Sequence, residues 1–267
     1  MRADCHIHSG FSFDSEADTE EMIRSAIEKG LEAVCFTEHE EIDFVYDGRE
    51  LVIDTEDYFC RLDALREAYR GQIEVRTGIE LGLQPQIGGK LAAYAETYPF
   101  DFVIGSVHVI EGMDPYYPEY FEKYEDGAGY LRAFEETLAD LQAFDGFDSL
   151  GHLDYIVRYG KRQTEEYSYR RYADLIDEIL RTLAERGKGL ELNTAGLKYG
   201  LPFAHPHPDI LRRFRELGGE IVTVGSDAHR PEHIAYGFDR VNDLLTGCGF
   251  RYYTEFVKRK PIFKRII

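Results

Sequence analysis

Short apolar runs and helix-period segments take turns along the whole chain, and that alternation restricts the fold more than any other feature. The runs lie at 2–7, 33–37, 73–79, 102–107, 149–151, 190–193 and 221–226. Two of them, Ala33-Val34-Cys35-Phe36-Thr37 and Phe102-Val103-Ile104-Gly105-Ser106-Val107, are nearly continuous in apolar character, as strands covered on both faces are. Helices are expected between them. Asp18-Thr19-Glu20-Glu21 caps one that stops at Gly30, and Leu62, Leu65 and Tyr69 carry helical spacing over 55–69. Further helices are expected near 88–98, 128–144, 170–186, 208–217 and 239–245. Seven such strand–helix units predict an α/β fold of parallel strands in one domain spanning 1–267, a length that suits an α/β barrel. The stretches 40–54, 110–127, 157–169 and 196–208 read as loops, the second too long for a connector and suited to a lid or substrate wall. The chain closes on what reads as a basic tail with Lys258, Arg259, Lys260, Lys264 and Arg265.

The residue after each run matters next. The first run ends in Asp4-Cys5-His6-Ile7-His8. Side chains two apart on a strand point the same way, so His6 and His8 project together from its C-terminal end. Two converging imidazoles suit a divalent transition metal. The later runs end in His39, Glu80, His108, His152, Asn193, and finally Asp227-Ala228-His229. Parallel barrel strands present their C-terminal ends on one face, where catalytic groups gather. Six of the nine histidines fall at these ends. One such His alone would read as a cap or a satisfied core residue, but six with two carboxylates point to a metal centre.

The charge balance narrows the partners. A net charge of −19, from 31 basic and 50 acidic residues, repels phosphate backbones and anionic bilayers. Neither nucleic acid nor a membrane is expected as a partner, and an anionic substrate would need metal ions and one or two arginines to hold it. No apolar run approaches the ~18 residues that span a bilayer. Met1-Arg2-Ala3-Asp4 leads directly into the first strand, so no signal peptide is expected. A cytoplasmic location is therefore expected, with Cys5, Cys35, Cys60 and Cys248 as reduced thiols, since no Cys-x-x-Cys spacing occurs. The oligomeric state stays open.

The motifs DCHIH, TEH, a lone Glu80 after the third strand, SVH, GHLD and SDAH follow one another across essentially the whole chain. In order and separation they resemble the polymerase-and-histidinol-phosphatase (PHP) superfamily, and within it the histidinol-phosphate phosphatases. The resemblance implies a distorted (β/α)7 barrel of parallel strands and three divalent metal ions (Zn, Mn or Fe). It implies that His6, His8, Glu80 and Asp227 hold the first ion. Glu80 would bridge to a second, completed by His108 and His152, and Asp14, His39 and His229 would hold the third. Asp14 also suits an Asx turn in its loop. The implied activity is hydrolysis of L-histidinol phosphate to L-histidinol and phosphate, a step of histidine biosynthesis. Hydroxide formed between two ions would attack phosphorus in line, while the third ion neutralises charge on the phosphoryl and ester oxygens. Asp14, His229 or a water beside them are the candidates for protonating the leaving alkoxide. Mixed nitrogen and oxygen ligation does not choose among the three metals.

Substrate contacts are expected from the loops. Arg158 follows the His152 strand end, and its planar fork suits phosphate. Lys198 and Asn193 are further candidates for substrate binding, although all three also read as ordinary loop residues. Glu40, Asp43, Glu111 and Asp114 could face a cationic amine or simply solvate the surface. His205, His207 and His233 are expected to be loop or surface residues, the first two within reach of substrate. Two other functions fit the same residues: a phosphoesterase for another small ester such as a nucleotide, and a non-catalytic metal-binding module. The complete ligand set favours an enzyme over the module.

Overall fold

The computed structural model describes residues 1–266. Its strands are β1 (Ala3–Ile7), β2 (Ala33–Phe36), β3 (His39–Tyr46), β4 (Arg49–Leu51), β5 (Glu74–Gly82), β6 (Phe102–Ser106), β7 (Ser149–Leu150), β8 (Gly189–Asn193), β9 (Val222–Gly225), β10 (Tyr252–Val257) and β11 (Lys260–Arg265). The helices are α1 (Thr19–Glu28), α2 (Thr55–Ala68), α3 (Gly88–Thr97), α4 (Pro118–Lys123), α5 (Asp126–Ala143), α6 (Ala173–Glu185), α7 (Ala195–Lys198), α8 (Pro208–Glu216) and α9 (Val241–Gly247). Asp18 caps α1 as its position suggests, accepting from the Glu20 and Glu21 amides.

Seven parallel strands stand in the order β1-β2-β5-β6-β7-β8-β9. Ile7 bridges Ala228 in parallel, and the Asp227 amide donates to the His6 carbonyl at 2.8 Å, so the ring nearly closes on itself. The expected distorted seven-stranded barrel is present. Its distortion has a local origin. β2 pairs with the first half of β5 and β3 with the second half, which sets His39 opposite Glu80.

Alternation along the strands divides the core in two. Val34, Phe36, Val75, Ile79, Val103, Leu190, Leu192, Val222 and Val224 pack outward with helix residues such as Met22, Leu62, Ile179 and Phe214. Ala3, Cys5, Ala33, Cys35, Phe102 and Ile104 form a smaller inner cluster with Phe256 of β10. Phe256 stacks on Phe102 at 5.1 Å, and its neighbour Glu255 pairs with buried Arg76 at 2.9 Å. Phe256 and Glu255 of the final hairpin thus reach into the barrel interior below the polar strand ends. All four cysteines are free, with Cys60 alone exposed. Among the described residues no helix is long and apolar enough to cross a membrane.

Four stretches differ from the sequence reading. The expected 40–54 loop is the hairpin β3–β4, turned at Asp47 and Gly48 with φ of 49° and 74°. Asp-Gly is the favoured type I′ pair, because both central residues need positive φ. The basic tail is the antiparallel hairpin β10–β11. Its turn uses Lys258 and Arg259 at φ 50° and 61°, held by amide bonds to Asp101 and by the Arg259–Asp148 ion pair. The 110–127 and 196–208 loops contain the short helices α4 and α7.

Candidate metal centre

Strand ends carry the polar side chains into one place. β1 supplies His6 and, one residue beyond its end, His8; β3 opens with His39; β5 carries Glu80 near its end. His108 and His152 each follow a strand by two residues, and Asp227 and His229 follow β9. Asp227 adopts φ 55°, a left-handed conformation that Asp tolerates better than most residues and that turns the chain sharply after the strand. Gly225 makes room for this packing, since a Cβ there would overlap the His6 side chain.

Glu80 lies fully buried at the centre. Its Oε2 is 3.2 Å from His6 Nε2, 3.5 Å from His8 Nε2 and 3.0 Å from His39 Nδ1. Its Oε1 is 2.9 Å from His152 Nε2 and 3.3 Å from His108 Nε2. Asp227 Oδ1 stands 3.4 Å from His8 Nε2 and 3.5 Å from His229 Nδ1. Asp14 Oδ2 stands 3.0 Å from His229 Nε2 and 3.6 Å from His39 Nε2. All nine residues expected as ligands therefore meet. Asp14 and His229 are the most open of them, with side chains 40% and 21% exposed.

These separations fit metal ligation. A tetrahedral ion with nitrogen at about 2.0–2.1 Å spaces its ligand atoms by about 3.3–3.4 Å. The Nε2 atoms of His108 and His152 are 3.4 Å apart, and those of His6 and His8 are 3.0 Å apart. His39 Nδ1, His229 Nε2 and Glu80 Oε2 are buried without a hydrogen-bond partner. A cation between them would satisfy these crowded polar atoms.

Carboxylates behind the imidazoles fix their orientation, and sequence reasoning had passed over them. Glu191 Oε1 accepts from His6 Nδ1 at 2.6 Å, and its Oε2 accepts from the His152 amide at 2.9 Å. Glu41 Oε1 accepts from His108 Nδ1 at 2.6 Å. Glu38 holds Ser12 at 2.5 Å, and Ser12 Oγ contacts His8 Nδ1 at 3.0 Å. An imidazole that donates from Nδ1 offers Nε2 as a lone pair to an ion. Glu41 is itself close enough to His39 and His108 to serve as a ligand, and Gly82 admits it because a Cβ there would overlap its carboxylate.

The electrostatics demand positive charge. Burial pushes the Glu80 and Asp227 carboxyls up, yet the neighbouring imidazoles hold both well below the usual carboxylate range. Burial pushes His6 and His39 down, but Glu191 and Glu80 around His6, and Asp14 and Glu80 around His39, hold both well above an ordinary imidazole. His108, beside Glu41 and Glu80, is raised to about 10. His8 is lowered by burial and by His229 and His39. Protons or metal ions must supply the charge, and the convergent lone pairs suit ions.

A cavity of about 550 Å³ opens over this cluster. Arg158, Asp114, Tyr155, Tyr159 and Tyr199 line it beside the metal-facing groups. Two expected substrate contacts sit elsewhere. The Asn193 amide is spent on Glu191 and the Ala195 amide, within the wall. Lys198 Nζ donates to the Asp227 carbonyl at 2.8 Å, which ties it to the turn rather than to the cavity. Of the four acidic candidates only Asp114 lines the cavity. Asp43 pairs with Lys90, Glu111 with Lys123, and Glu40 accepts from the Ile53 amide. His205 is not a surface residue. It is fully buried, with Nδ1 on Asp154 Oδ1 at 2.7 Å, because Asp154 gathers its ring, the His207 amide and the Tyr167 hydroxyl. His207 caps α8, and His233 lies at the cavity mouth.

Comparison with known proteins agrees with this architecture. Residues 4–195 match the PHP domain family. The histidinol-phosphatase of Lactococcus lactis subsp. lactis is 32% identical over 260 residues, covering 96% of this chain and 94% of that one. The probable histidinol-phosphatase of Clostridium acetobutylicum is 32% identical over 251 residues, covering 94% and 95%. The crystal structure of the Lactococcus lactis histidinol phosphate phosphatase, complexed with Zn, L-histidinol and phosphate, superposes with a TM-score of 0.89 at 30% identity, covering 98% of both chains. A seven-stranded parallel barrel with its histidines and carboxylates gathered at one end, matched to these relatives along its length, places the chain in the PHP domain family.

Proposed function

We propose that this chain is a metal-dependent phosphomonoesterase that hydrolyses L-histidinol phosphate to L-histidinol and phosphate. The observation that carries this reading is Glu80, whose two oxygens divide between the His6, His8 and His39 set and the His108 and His152 set. Three ions, of which Zn is the one bound by the Lactococcus lactis relative, would be held by His6, His8 and Asp227, by His108 and His152, and by Asp14, His39 and His229, with Glu80 between the first two positions. Ions there supply Lewis acidity toward phosphoryl oxygens and lower the pKa of water at the site.

The chain's own groups do the rest. Arg158 directs its guanidinium charge at the phosphate, which suits a planar fork. Asp114 also lines the cavity; burial raises its carboxyl to about 6, and a cationic amine would pull it back into the ionised form. Burial pushes the Asp14 carboxyl up, but His39 and His229 hold it well below the usual carboxylate range, so a water beside Asp14 and His229, which stand 3.0 Å apart and open to the cavity, would supply the proton to the leaving alkoxide. The test is phosphate release from a panel of esters by zinc- or manganese-loaded protein. Histidinol phosphate should be turned over far faster than sugar or nucleoside monophosphates. Equal rates across the panel would reject the substrate, and an Asp227→Ala protein with undiminished activity would reject the site.

A further inference from the structure

Arg158 is held in an unusual way for a cation in so acidic a chain. No carboxylate lies within ion-pair distance of it among the described residues. Its guanidinium carbon instead sits 4.6 Å from the ring centre of Tyr159, 4.5 Å from that of Tyr199 and 5.4 Å from that of Tyr155. One terminal nitrogen also donates to the Tyr159 hydroxyl, and Nε is buried without a partner.

A carboxylate partner would neutralise the guanidinium and occupy its in-plane donors. An aromatic face attracts the cation through its quadrupole and leaves both the charge and most of those donors free. Tyr199 comes from a different segment, the residue after α7, where the preceding Lys198 is bonded to the Asp227 carbonyl. The ring is therefore positioned through the same turn that carries Asp227. Tyr155 and Tyr159 lie with Arg158 on the turn after His152, and Tyr155 packs on the His152 ring at 4.8 Å.

We propose that Tyr199 and Tyr159 are positioning residues: they clamp Arg158 between two rings so that an un-neutralised guanidinium edge is presented to the phosphoryl group. This rests on the reading of Arg158 as the phosphate contact given above. Rings cradle the charge without pairing with it, so the guanidinium stays available to the substrate.

The test measures calorimetric binding of inorganic phosphate to zinc-loaded protein, which does not depend on which ester is the substrate. Variants Tyr199→Leu, Tyr199→Phe, Tyr159→Leu, Arg158→Met and the double Arg158→Met/Tyr199→Leu are compared at matched zinc content. Loss of one face should weaken phosphate binding by about threefold to tenfold. Tyr199→Phe keeps the face and should retain the affinity, and Tyr159→Leu, which removes a hydrogen bond as well as a face, should cost at least as much as Tyr199→Leu. In the Arg158→Met background, Tyr199→Leu should cost nothing more. If Tyr199→Leu leaves binding unchanged while Arg158→Met weakens it, the clamp is wrong and Arg158 stands as the phosphate contact. If Tyr199→Leu weakens binding equally with and without Arg158, Tyr199 meets phosphate directly and the clamp is again wrong. If Arg158→Met has no effect, the clamp falls together with the role of Arg158.

Discussion

Replacing Glu191 by Gln removes a charge and one acceptor atom without changing size, so its effect isolates what the carboxylate does. Glu191 accepts three hydrogen bonds in a fully buried setting: from His6 Nδ1 at 2.6 Å, the His152 amide at 2.9 Å and Asn193 Nδ2 at 3.2 Å. Gln has one acceptor oxygen. Turned toward His6, it sets its own amide against two other donors; turned the other way, it forces His6 to carry its proton on Nε2, where an ion should bind. Outer carboxylates of this kind are worth about 10–100-fold in metal affinity, which is about 1.4–2.7 kcal/mol. Each bond lost in the buried wall adds about 1–3 kcal/mol of destabilisation in the metal-free protein. Zinc competition against a chromophoric chelator would read the first effect, and thermal melts of metal-free protein the second. A Glu191→Gln protein with native zinc affinities and an unchanged melting temperature would refute the reasoning.

Other consequences can be measured in the same preparations. Asp140 on α5 is buried with both oxygens unpaired, and burial raises its carboxyl to about 8 from 3.8. Because the folded value is the higher one, stability is lost as pH rises from about 4 toward 8, at about 1.4 kcal/mol per pH unit, or about 4 kcal/mol by pH 7 as an upper limit. Asp140→Asn should remove most of that slope in denaturant melts across this pH range, and an unchanged slope would count against it. Asp114→Asn should raise KM for histidinol phosphate about tenfold, the size of one charged hydrogen bond, and should spare esters that lack an amine; an equal loss for both kinds of ester would place Asp114 elsewhere. Stripping ions with a chelator should lower the melting temperature and readdition should restore it, since ions at 100 times their Kd add about 2.7 kcal/mol; an unaltered melt would mean the ions do not bind the folded state selectively.

Strand ends were easy to read because parallel strands of alternating units put them on one face, whatever the loops do. His6, His8, His39, Glu80, His108, His152, Asp227 and His229 announce themselves in that way, and Asp14 came only through the resemblance of the motifs. The supporting carboxylates did not. Glu191 lies inside an alternating strand, where Leu190-Glu191-Leu192 reads as one buried and one solvated face, although the glutamate points into the barrel. Glu41 lies in a stretch that reads as a loop, since its acidic and aromatic residues mask the Asp47-Gly48 turn signal. The Lys258-Arg259 turn carries no glycine or asparagine, so its hairpin had no local signature; Asp101 and Asp148 hold it from far along the chain. Asn193 and Lys198 lie at or after a strand end in the sequence, but their side chains bond within the wall, which only packing decides.

Anomalous diffraction from crystals of protein loaded with zinc, collected on both sides of the zinc edge, would locate the ions without reference to any relative. Three peaks should appear, two flanking Glu80 near His6, His8 and Asp227 and near His108 and His152, and one between Asp14, His39 and His229. Fully loaded crystals whose peaks lie away from Glu80 would contradict the account.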